Sequence, residues 1–338
     1  MKIDELRTTL SKYDVSELKE IVVTLYKAIP KSRKEGDDLD ELLLNYSQKK
    51  AKPAKKEVPV DFKALHSDVV TFIDYVSDDL YIAPNRIVSK DKRSKWRFEV
   101  RRFIKELIAV QGENSEVAAQ LLADIYEMLC YACNYWIFTS DNPFSAVGYE
   151  QPEFLRLVLS KLFYSGFSRD VIKKAVYLTL DSNADQQTFH LKLFYELVSV
   201  LKTPDIKEIA LTYCEAYAKE YVGYQAAKTM FQYPAKKEDF RTWEHENYAV
   251  DLYLLLKFSL QEFDDGIAYY WKNYKESNKE TTLHYLLTYF LYGEEFKALW
   301  IREYEKAIAG GITPSKRIQE EYDKRISVQH KIQTHAER

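Results

Sequence analysis

Hydrophobic positions recur along this chain at intervals of three and four residues, the spacing that lines one side of an α-helix. The first clear case is "VSELKEIVVTLYKAI", where Leu18, Ile21, Val22 and Leu25 make a stripe expected to be buried. Asp14 stands just before it, with Glu17 three residues on, as in a capping box. Pro30 and "KSRKEGDD" end that helix, and a further short helix is expected in "DLDELLLNY". Residues 1–47 therefore read as a small N-terminal helical unit.

The pattern then breaks. "SQKKAKPAKKEVP", Ser47 to Pro59, holds five lysines, two prolines and almost nothing apolar. That composition marks a charged linker, placed at 48–60, before a main domain of 61–338.

From Asp61 the helical period resumes, with Phe62, Leu65, Val69, Phe72, Ile73 and Val76 on one face. Punctuation sets off the later helices. Gly112 and Gly166 close two of them, Pro152 suits a first turn, Ser168 suits an N-cap, Thr203–Pro204 opens a long helix and Gly310–Gly311 stops another. A helix is expected from about 115 to 138, followed by an aperiodic loop over 139–153. No convincing strand pattern occurs. The expected fold class is all-α: an irregular multi-helix array, either α-solenoid-like or a large helical bundle, with the small N-terminal helical unit in front. Around Tyr304, Ala307 and Pro314, "REYEKAIAGGITP" resembles the second helix of a tetratricopeptide repeat over about one helix. Pro314 stands two residues too far from Ala307 for that pattern, and no period of 20–50 residues recurs elsewhere.

Composition agrees with this picture. Only 9 glycines and 9 prolines in 338 residues leave few tight turns, which disfavours a many-stranded sandwich or barrel. A net charge of −3 creates no global basic field. No apolar run has the length of a membrane span, and the polar N-terminus lacks the apolar core of a signal peptide. Three cysteines make no disulfide framework, so a cytoplasmic protein with reduced thiols is expected.

Chemistry is sparse. Cys130 and Cys133 form a C-x-x-C, but about fifteen residues into a predicted helix, away from the N-terminal dipole that would depress a thiol pKa. Only Cys214 remains to complete a zinc set. The reading preferred for both thiols is burial in the centre of the core, on a helix whose apolar arc includes Leu121, Leu122, Ile125, Tyr126, Leu129 and Trp136. The six histidines make no H-E-x-x-H or E-x-x-H motif, and His190 and His284 read as core or boundary residues. P-loop, nucleophile-elbow and dinucleotide-binding spacings do not occur.

Two surfaces are candidates for partners. Tyr213, Tyr217, Tyr221 and Tyr224 recur at near-helical spacing in a chain with 27 tyrosines, which suits a protein-binding face. "SKDKRSKWRFEVRRFIKE", 89–106, sets eight basic residues against three acidic ones. Its Lys92, Arg93, Lys95, Arg97, Arg101 and Arg102 are candidate phosphate contacts, with Trp96 or Phe98 available to stack. A solvated helix face with Trp96, Val100, Phe103 and Leu107 turned inward is the preferred reading of that stretch. The function expected is therefore a non-catalytic helical interaction or scaffold protein with a protein partner, no membrane association and no cofactor or metal. Nucleic-acid association through 89–106 is the alternative, and metal or thiol-redox chemistry at Cys130 and Cys133 a remote third.

Overall fold

The capping box at the second helix forms as its spacing predicts. Asp14 accepts from the Glu17 backbone at 2.8 Å, and Glu17 Oε2 accepts from the Asp14 backbone at 2.9 Å. The computed structural model describes residues 3–29, 61–78, 80–81, 94–228 and 240–336, excepting the side chains of 3, 4, 7, 218, 220–228, 240–243 and 328–336. By internal contacts the chain divides into Met1–Pro59 and Val60–Arg338.

In the first unit, α1 (Ile3–Leu10) and α2 (Val15–Ala28) are described. No residue of α2 is buried. The stripe expected to be covered is half-buried at Leu18 and Ile21 but exposed at Val22 and Leu25. That expectation is corrected: amphipathic spacing makes a face, but a partner element must cover it. The expected helix in "DLDELLLNY" and the lysine-rich linker lie outside the described residues.

Among its described residues the second unit consists of helices joined by turns and irregular connections, with no strand. It contains α3 (Phe62–Ser77), α4 (Trp96–Ala109), α5 (Ser115–Asn134), α6 (Pro143–Val147), α7 (Gln151–Leu162), α8 (Arg169–Leu180) and α9 (His190–Val200). After these come α10 (Pro204–Lys228), α11 (Phe240–Ser259), α12 (Phe263–Asn273), α13 (Lys279–Tyr285), α14 (Lys297–Ala309) and α15 (Lys316–Ala336). The chain is an all-α multi-helix array. Its punctuation acts where the sequence placed it. Ser168 Oγ accepts from the Val171 backbone, Pro152 lies in the first turn of α7, and Gly112, Gly166 and Gly311 take positive φ.

Helices two apart in sequence pack on each other: α5 on α7, α7 on α9, α9 on α11, and α8 on α10. Consecutive pairs, α8 with α9, α10 with α11 and α11 with α12, join these rows. The core they enclose is continuous, running from Leu65 in α3 through Tyr126, Phe154, Phe194 and Leu254 to Trp300 in α14. The face predicted for α3 is buried at Leu65, Val69, Phe72, Ile73 and Val76.

Two expectations near residue 140 are corrected. α5 ends at Asn134, so Trp136 leaves the helical face assigned to it and is 74% exposed, while Ile137 and Phe138 turn back into the core. Phe138 stacks on Trp96 at 4.0 Å. The 139–153 stretch is not one loop. Asn142 accepts from the Ser145 backbone at 3.0 Å and opens α6, which Gly148 closes in the left-handed conformation. Five residues are too few for periodicity to reveal a helix.

Candidate functional site

The C-x-x-C lies in α5, and its surroundings quench it. Cys130 is buried, and its sulfur faces the Gln151 amide at 3.5 Å. Burial pushes that thiol up to about 12. Cys133 is half-buried, donates to the Leu129 carbonyl at 3.3 Å, and is likewise raised by burial. Cys214 is buried in α10, where desolvation raises it too. All three are free thiols. Among the described residues no group of three or more His, Cys, Asp or Glu side chains stands together to hold a metal ion.

Beside Cys130 lies a polar network that the sequence did not announce. Gln151, fully buried, donates to the Asn183 carbonyl at 2.9 Å and accepts from the Asp185 backbone at 2.8 Å. Tyr126 and Ser182 share a hydroxyl bond of 2.9 Å, and His190 Nε2 meets the Ser182 carbonyl at 2.8 Å. Tyr217 donates to Asp181 at 2.5 Å, and His245 Nδ1 stands 3.0 Å from the Leu180 carbonyl. These bonds gather on the end of α8 and the turn after it, from Leu180 to Asp185, where backbone groups leave the helical ladder. The network fixes that turn. Its signal in sequence is only a set of scattered polar residues inside apolar helices.

Tyr217 is thus a core residue, and its place in a surface tyrosine face is corrected. It is 1% exposed, its hydroxyl is satisfied internally, and its ring packs edge-on against Tyr177 at 5.0 Å. Tyr213 is half-buried against the core. The side chains of Tyr221 and Tyr224 lie outside the described residues.

On the basic segment, Trp96, Val100, Phe103 and Leu107 are buried, as the inward-facing reading requires. Arg101 donates from Nε to the Val147 carbonyl at 2.9 Å and from Nη2 to the Ala146 carbonyl at 3.1 Å, capping α6. Arg102 pairs with Asp68 at 2.8 Å and Glu106 at 3.4 Å. Both arginines make these bonds at the surface and remain exposed. Lys95 and Arg97 are exposed, as is Phe98 at 69%. Lys92 and Arg93 lie outside the described residues.

Another buried acid was also missed. Asp251 in α11 is 1% exposed; Oδ2 accepts from the Tyr285 hydroxyl at 3.4 Å, and Oδ1 has no partner. Burial raises its pKa well above the ordinary carboxylate value, which favours the neutral acid. Immediately after Tyr285 the helix widens into a π-helical turn, Leu286–Phe290. Such turns occur frequently at functional sites.

A groove of about 500 Å³ lies between α12 and α14. Ile267, Ala268, Ala307, Ile312 and Trp271 give it an apolar lining, and Asp264, Arg302, Glu303 and Lys306 give it charge. Arg302 pairs with Asp264. Glu303, although buried, takes both Arg302 Nε at 3.1 Å and Lys306 Nζ at 3.0 Å on its Oε1. The lining contains no hydroxyl, thiol or imidazole, hence no such nucleophile for a base to activate. The arrangement can seat an apolar group and orient charges of either sign around it. None of its residues was selected from the sequence, because α12 and α14 are ordinary amphipathic helices until they meet.

No family model matches the chain, and no curated protein or solved structure is significantly similar to it. Among the described residues no helix is long and apolar enough to cross a membrane.

Proposed function

We propose that this is a non-catalytic helical interaction protein, acting in the cytoplasm, whose α12–α14 groove receives a segment of a protein partner. The groove is the observation that carries this reading. Its volume suits a large side chain. Trp271 and Arg302, residue types enriched at binding hot spots, stand at its edge. Charges of both signs match a peptide presenting an apolar anchor flanked by an acid and a base. The three free thiols suit a reducing compartment. A photo-crosslinking residue at exposed Ala268, introduced in the native host, tests it. One dominant protein adduct is expected, reduced at least about tenfold by Ala307→Arg and absent when the probe sits at Glu153 on α7. Equal labelling at both probe positions, or a nucleic acid as the adduct, overturns it.

A second reading, nucleic-acid association through 89–106, draws support from exposed Phe98 between Lys95 and Arg97. It calls for binding that strengthens as salt is lowered and weakens in Phe98→Ala; absence of a gel shift at low salt removes it.

A further inference from the structure

We propose that α2 is a homodimerisation helix that pairs in parallel with α2 of a second copy of this chain. Val15, Leu18, Val22 and Leu25 follow one another at intervals of three, four and three residues within α2, and Ile29, its C-cap, stands four further on in extended backbone. This is the a/d seam of two heptads, with β-branched Val15 and Val22 at a and Leu18 and Leu25 at d. That division of residue types favours a parallel two-stranded pairing. The seam is largely open: Val15 is 69%, Val22 47% and Leu25 61% exposed, Leu18 is half-buried, and no residue of α2 is buried. A hydrophobic seam of this kind lowers its free energy by covering itself, and an identical seam is shape-complementary in register.

The flanking positions fit a second copy as well. With Val15 at a, Asp14 falls at g and Lys19 at the following e. In a parallel pair the g residue of one helix meets the e residue five positions on in the other, so Asp14, the N-cap whose carboxylate also accepts from the Glu17 backbone, stands at the start of the pair opposite Lys19 of the second copy, twice by symmetry. The next such pair is Ile21 with Tyr26, both half-buried in the single chain, which widens the apolar seam. No like-charged pair arises at these positions. The helix has 14 residues, so each copy brings two heptads and the pairing is weak and reversible.

Sedimentation equilibrium of the full chain tests this. The apparent mass is expected to rise from 39.9 kDa toward twice that value as concentration approaches the order of 100 µM. Leu25→Glu is expected to hold the chain monomeric, while Val23→Glu, exposed but off the seam, leaves the association within about twofold. Under mild oxidation Val15→Cys is expected to link to itself, which parallel in-register pairing allows and antiparallel pairing about Val22 does not. A monomer at every concentration, or a dimer indifferent to Leu25→Glu, overturns the proposal. A dimer in which Val15→Cys links only to Ile29→Cys overturns its parallel register. Ala307→Arg serves as a separate control: it alters the groove and leaves this association unchanged, so the two readings fail independently.

Discussion

The α1–α2 segment and the α3–α15 body carry the same kind of sequence pattern and reach opposite outcomes. α2 and α3 are of similar length, each capped by an aspartate and striped at helical spacing. In α3, Leu65, Val69, Phe72, Ile73 and Val76 are all buried, because α5 lies across them. In α2 no residue is buried. Periodicity states that a helix has a side to hide; neighbours decide whether the chain itself hides it. An exposed stripe on one unit and a groove on the other are where a partner would gain burial under the two proposals.

The sharpest way to break this comparison is to cut the same chemistry from both regions. Phe154→Ala, in the fully buried core of α7, is expected to lower the stability of the body by about 3–5 kcal/mol in urea unfolding followed by tryptophan fluorescence. Leu25→Ala is expected to shift that transition by less than about 0.5 kcal/mol. Comparable losses would mean that α2 is packed after all.

Next in size is the polar turn after α8. Tyr217→Phe removes the hydroxyl bonded to Asp181 and is expected to destabilise the body by about 1–2 kcal/mol. Tyr213→Phe, half-buried, should change little, so two tyrosines from one predicted face would separate cleanly in the same measurement.

Asp251 gives the body a pH dependence. Its folded pKa lies well above the unfolded value near 4. The neutral acid therefore stabilises the fold fully below about pH 4, and that contribution falls as pH rises toward the folded pKa. Asp251→Asn, neutral at every pH, is expected to flatten the decline in thermal stability above pH 4. An unchanged slope would locate the dependence elsewhere.

The smallest effect concerns the thiols. With Cys130 raised to about 12 by burial and Cys133 and Cys214 raised as well, labelling at pH 8 is expected to be slow in the native protein and to reach three thiols on denaturation. One fast thiol in the native state would reopen the chemical reading of C-x-x-C.

Much of the fold was legible because it rests on local physics. The caps at Asp14 and Ser168, the prolines at first turns, the glycines of positive φ and the apolar stripes of α3 and α4 need only neighbours in sequence. The groove was not legible, because Asp264 and Arg302 are thirty-eight residues apart and meet only when α12 packs near α14. Nor was the burial of Tyr217, since helical spacing cannot tell a ring bonded to Asp181 from one in solvent.

By itself, then, the sequence determined that the chain is helical, where most helices start and stop, and that α2 carries an apolar stripe, since these follow from backbone preference and side-chain period. Tertiary structure alone decided which apolar faces found cover, which arginines were spent on carbonyls and carboxylates, and where charged and apolar residues converge into a groove. Those outcomes depend on contacts between distant segments, whose energies no local pattern encodes.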